Sequence, residues 1–68
     1  MIDTKALYGA IVANGLTQKD VAHRMEMAPK TFYLKMKKGV FGSDEIEFLI
    51  KELNIKNPME IFFADKVT

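Results

Sequence analysis

Apolar residues recur along this chain at helical rather than strand spacing. Between Thr4 and Asn14 the residues Leu7, Ala10, Ile11 and Asn14 share one face, with Tyr8 and Val12 at its flanks. Gly15 follows, where a left-handed backbone that ends a helix costs glycine little. A second helix is predicted from about Gln18 to Met25. Thr17 supplies its cap, Asp20 sits near its positive end, and Val21, Ala22 and Met25 are the residues to bury. After a turn through Glu26 and Met27, Pro29 opens a third helix that runs to about Lys37 and stops before Gly39. The fourth helix has the clearest pattern. Ser43 is its expected cap, Asp44 and Glu45 fill its first turn, and Ile46, Leu49, Ile50 and Leu53 fall at i, i+3, i+4 and i+7. Asn54 ends it, and Ile55 is placed to fold back as an apolar plug. Asn57-Pro58 then starts a short last helix through Met59, Glu60, Ile61 and Phe62. The tail from Phe63 to Thr68 is too short to assign, and either a frayed end or a short extended segment fits it. The expected fold is all-α: five short helices in one compact domain over residues 1–68.

Composition narrows the functional classes. With 68 residues there is room for one domain, and 49% hydrophobic content is enough for a small core. Such a core rarely supplies more than about 3–5 kcal/mol alone, so a second copy or a partner is one route to further stability. The absence of cysteine excludes disulfides and thiolate zinc sites. No apolar run reaches the roughly 18–20 residues of a spanning helix, and the first residues lack a signal-peptide pattern, so a cytoplasmic location is expected. His23 is the only histidine, Ser43 is accounted for as a cap, and Glu45, Glu52 and Glu60 read as helical surface acids. The four internal methionines are expected to fill core gaps. No Gly-rich loop precedes a helix in phosphate-binding order. No catalytic residue, metal ligand, cofactor or small-molecule substrate is therefore assigned, and an enzyme is not expected.

Charge changes the picture once it is resolved along the chain. The overall balance is only +1. Residues 17–39 carry Lys19, Arg24, Lys30, Lys35, Lys37 and Lys38 against Asp20 and Glu26, a local +4. Residues 40–68 carry Lys51, Lys56 and Lys66 against Asp44, Glu45, Glu47, Glu52, Glu60 and Asp65, a local −3. That split fits an oriented approach to a polyanion, although a solvated lysine face would also produce it.

Two short helices joined by a tight turn, in the basic middle of a small all-α chain, form the pattern of a helix-turn-helix. The run Leu16-Thr-Gln-Lys-Asp-Val-Ala-His-Arg-Met-Glu-Met-Ala-Pro-Lys-Thr-Phe-Tyr-Leu-Lys-Met-Lys-Lys-Gly39 resembles that of the lambda-repressor-like family, which includes small phage Cro proteins and Xre-like repressors. Leu16, Thr17, Gln18, Val21, Ala22, Thr31 and Phe32 match the family pattern, and the helix order resembles such regulators over roughly residues 4–63. The helix-turn-helix would span about 17–38. Three positions depart from the pattern. Glu26 stands at the turn glycine, Ala28 replaces the usual Ser or Thr cap, and Lys35 replaces a bulky apolar residue whose space Met36 can fill.

The resemblance implies a sequence-specific, double-stranded DNA-binding regulator of phage or prophage type, acting on an operator in the bacterial cytoplasm, at the nucleoid. On the third helix Phe32 and Met36 point to the core, while Lys30, Leu34 and Lys37 gather opposite, with Tyr33 and Thr31 beside them. In a helix-turn-helix that face enters the major groove, making Lys30, Leu34, Tyr33 and Thr31 the candidate base readers. Thr17, Gln18, Lys19, Lys37 and Lys38 are the candidate phosphate contacts, with Gln18 placed by the resemblance. Phe48, Phe62, Phe63 and Val67 form an apolar surplus in 43–68 and are the candidate homodimer surface, the alternative being that Phe48 and one tail phenylalanine close the core over the first helix. Pairing there would set two reading helices about one DNA turn, roughly 34 Å, apart. The competing reading is a protein-interaction module, an antirepressor or adaptor that keeps the fold and grips a protein through the C-terminal third.

Overall fold

Asp3 starts the first helix. In the computed structural model, which describes residues 2–64, its carboxylate accepts from the Ala6 N–H at 3.1 Å, and α1 runs Thr4–Ala13. The Asp3 N–H donates to the Ile61 carbonyl at 2.7 Å, so the chain start is tied to the last helix. The helices α2 (Gln18–Arg24), α3 (Pro29–Lys38), α4 (Ser43–Glu52) and α5 (Pro58–Phe62) follow, giving the expected all-α architecture with no strand among the described residues. Helices of five to ten residues are marginal alone. Their stability therefore comes from the apolar stripe each one buries.

Four of these helices end in the same way. A residue at the cap or just after it takes a left-handed backbone, and the next N–H reaches back to a carbonyl in the last turn. Gly15 (φ 72) does this after α1, with Leu16 N–H donating to the Ile11 carbonyl. Gly39 (φ 69) closes α3, with Val40 donating to Lys35. Asn54 (φ 51) follows α4, with Ile55 donating to Ile50. After α2 the left-handed residue is Glu26 (φ 55), with Met27 donating to Ala22. Leu16, Met27 and Ile55, just past these turns, all pack on the core, so three of the turns also deliver an apolar plug. Glycine and asparagine tolerate this backbone, whereas a glutamate side chain crowds its own carbonyl there.

The core is Ile2, Leu7, Ile11, Val21, Ala22, Phe32, Phe41, Leu49, Leu53, Ile61 and Phe62. Phe32 is its largest fully buried side chain, and its ring meets Phe41 at a centroid distance of 5.6 Å and a 56° tilt. Asn14 ties the ends of two helices together, its amide donating to the Ala10 carbonyl at 2.7 Å and the Leu53 carbonyl at 3.1 Å. Several expectations are corrected. Gly42, not Ser43, caps α4, and Glu45 accepts from the Gly42 N–H at 2.8 Å. Met25, the C-cap residue at the end of α2, is half-buried against the core rather than fully buried like Val21 and Ala22. Met59 is exposed, whereas Met25, Met27 and Met36 do pack on the core. Phe62, one of the proposed pairing residues, is only 2% exposed. It closes this chain's own core and is unavailable to a second copy. Val67 and the rest of the tail beyond residue 64, with its extended-segment alternative, fall outside the described residues.

Two ion pairs fasten α4 to the middle of the chain. Arg24 of α2 meets Glu52 at 2.6 Å, and Lys35 of α3 meets Glu45 at 3.1 Å. Burial pushes the Glu45 carboxyl up, but the Gly42 N–H and Lys35 outweigh it, and the net pKa lies below the ordinary 4.5. A lowered folded pKa contributes stability that is present above 4.5 and is lost as pH falls through the folded value. Glu45→Gln should therefore cost about 0.5–1 kcal/mol near neutral pH, and its urea stability should fall less steeply than wild type below about pH 4.5. Parallel acid limbs would contradict the role of this carboxylate. Glu26→Gly should relieve the left-handed strain and stabilise by about 0.5–1 kcal/mol, raising Tm by roughly 2–8 °C in thermal denaturation. An unchanged or lower Tm would show that the glutamate is compensated elsewhere.

Candidate nucleic-acid interface

The α2–α3 pair is built from a reciprocal cap, a strained turn and a proline. Thr17 Oγ1 accepts from the Asp20 N–H at 3.1 Å, while Asp20 accepts from the Thr17 N–H at 2.8 Å. The hydrogen bonds from the Thr17 backbone and side chain hold the Asp20 carboxyl below its ordinary pKa. Residues 25–28 then turn the chain. Ala28 stands at the N-cap of α3 without a side-chain hydrogen bond, and Pro29 in the first turn supplies a preset φ instead.

Burial of Phe32 fixes the rotation of α3. With that ring inside, and Met36 half-buried on the same side, the opposite face is open. Lys30, Thr31, Lys37 and Lys38 are exposed, Tyr33 is 46% exposed and Leu34 is 49% exposed. α3 contains no acidic residue. Lys35 is the one lysine of α3 turned aside, toward Glu45 on α4. Among the described residues, Lys19, Lys30, Lys37 and Lys38 form no ion pair. Of the six basic residues in the +4 segment, Arg24 and Lys35 are thus spent on holding α4 in place.

Thr17 and Lys19 are exposed at the start of α2, and Gln18 is half-buried between them. These three and Tyr33 line one open depression, together with Tyr8, Val12 and Leu16. Gln18, Tyr33 and Lys37 line a second, together with Thr4, Lys5, Tyr8 and Met36. The candidate phosphate contacts Gln18, Lys19 and Lys37 are therefore brought to one side of the molecule with Tyr33. Lys30, Thr31, Leu34 and Lys38 line neither depression and stand on α3 itself. Sequence reasoning missed that Lys5 and Tyr8 of α1 border this surface. The available signal was that Tyr8 lies off the stripe of Leu7 and Ile11.

The C-terminal third divides differently from expectation. Phe63 is 41% exposed, Phe48 is half-buried and Phe62 is internal. Met59 is exposed one turn before Phe63. Among the described residues there is no cluster of three or more potential metal ligands, and no helix is long and apolar enough to cross a membrane. No protein-family model, curated protein or solved structure matches the chain.

Proposed function

We propose that this chain is a sequence-specific double-stranded DNA-binding transcriptional regulator of phage or prophage type, in which α2, the turn and α3 act as a lambda-repressor-like helix-turn-helix. The observation that carries the reading is the outer face of α3, which is acid-free and lysine-rich around a half-exposed leucine. In the major groove Leu34 would meet a thymine methyl and Lys30 a guanine O6 or N7, with Tyr33 and Thr31 beside them. Thr17, Gln18, Lys19, Lys37 and Lys38 would fix register on phosphates without reading sequence. The protein would act by occupying promoter DNA in the bacterial cytoplasm, with no chemistry of its own.

Selection of bound sequences from random duplex DNA at two salt concentrations tests the class. A consensus is expected, and salt-sensitive binding without one would count against a specific regulator. Lys30→Ala with Leu34→Ala should relax that consensus, at about 1–3 kcal/mol for each base no longer read, while leaving salt-sensitive non-specific binding in place.

A homodimer would double the readout and make the consensus palindromic. Of the proposed surface, Phe48 and Phe63 remain available, and Met59 joins them. Phe63→Glu should lower the association constant measured by sedimentation about tenfold or more without unfolding the chain, because the side chain is outside the core. A strictly monomeric wild type at high micromolar concentration, alone and on operator DNA, would eliminate the dimer. The exposed Met59 and Phe63 are also the observation that favours the second reading, a module binding another protein through the C-terminal third. Under that reading the Lys30 and Leu34 double variant leaves partner binding intact.

A further inference from the structure

We propose that α1 is a third element of the DNA-binding surface, with Lys5 and Tyr8 taking a stretch of sugar–phosphate backbone beside the contacts of α2 and α3. This rests on the DNA-binding reading above. The two open depressions next to α3 share Tyr8, Gln18 and Tyr33 in their walls, which sets them side by side along one trough-like surface. Lys5 and Lys37 border one end and Lys19 the other, and no carboxylate lines either part.

The arrangement repeats on two helices. Lys5 and Tyr8 are three residues apart on α1, and Tyr33 and Lys37 are four apart on α3, so each helix presents one ammonium and one phenol on a single face. Gln18 of α2 lies in the walls they share. Ammonium, phenol and carboxamide groups all donate hydrogen bonds, and these residue types are among those that bind phosphate oxygens. A trough walled by such donors and free of acids suits a run of negative charges better than a single small ligand. The duplex that α3 would read is the polyanion nearest to hand. Contacts from α1 would be insensitive to base identity, because neither side chain stands on the face proposed to enter the groove.

The test uses the full chain and two 20-base-pair duplexes, one of random sequence and one carrying the selected consensus, titrated at several salt concentrations. Lys5→Ala should lower the slope of log K against log salt by about one unit. Tyr8→Phe removes a neutral donor, so it should weaken binding on the order of tenfold with the slope unchanged. Both variants should affect the two duplexes by the same factor. Lys5→Glu should lose far more affinity than Lys51→Glu, an identical charge change on α4. If the Lys5 and Tyr8 variants match wild type while Lys37→Ala weakens binding, α1 stands off the DNA and the proposal is overturned. Equal losses for Lys5→Glu and Lys51→Glu would also overturn it, by reducing Lys5 to net charge. If wild type binds neither duplex, the DNA-binding reading fails and the trough assignment falls with it.

Discussion

Burial of Phe32 is the constraint on which the rest of the molecule depends. A 10-residue helix has one rotation that puts this ring inside, against Phe41, and that rotation decides everything α3 shows to solvent. Lys30, Leu34 and Lys37 face outward because Phe32 faces inward. Losing the ring would remove a large apolar contribution from a small core, by about 3–5 kcal/mol for truncation to alanine. It would also leave the outer face without a fixed orientation. Stability and presentation of the surface are therefore one property here.

Electrostatics adds a second layer of organisation. The basic middle and the acidic end of the chain are not simply two faces repelling or attracting a ligand. Two acids of α4, Glu45 and Glu52, take up Lys35 and Arg24 and clamp the helix against the α2–α3 pair. These pairs are partly exposed, so their energetic contribution is small. Their consequence is a division of labour among the cations. Lys35 and Arg24 are turned to α4, while Lys19, Lys30, Lys37 and Lys38 stay directed to solvent.

Much of this architecture was legible because punctuation and periodicity agreed. Gly15, Gly39 and Asn54 marked helix ends, and each takes the left-handed backbone that its residue type allows. The stripe Leu49 and Leu53 reached the core as its spacing required, with Ile46 and Ile50 at its margin. Glu26 was legible only as an anomaly, a glutamate where a glycine belongs, and the strained φ is the physical content of that anomaly. Ser43 misled because a serine before two acids resembles a cap. The carboxylate of Glu45 instead reached back to the Gly42 N–H, so the helix began one residue earlier than the pattern implied. Phe62 and Phe63 could not be told apart by composition, since adjacent residues on a short helix diverge by about 100° and only the neighbouring elements decide which is covered.

What the sequence determined by itself was local: five helices, the ends marked by Gly15, Gly39 and Asn54, the apolar stripes and the concentration of lysines between residues 17 and 39. These follow from backbone sterics and from spacing along one helix, which need no knowledge of neighbours. Tertiary structure alone decided the pairings between elements distant along the chain. It set Arg24 against Glu52, Asn14 against the Leu53 carbonyl and Asp3 against Ile61. It also brought Lys5 and Tyr8 of α1 alongside Gln18 and Tyr33. Side-chain periodicity says which way a residue points from its own axis, but it carries no information about how two axes cross. The extent of the candidate interface, unlike the helices that compose it, is a property of those crossings.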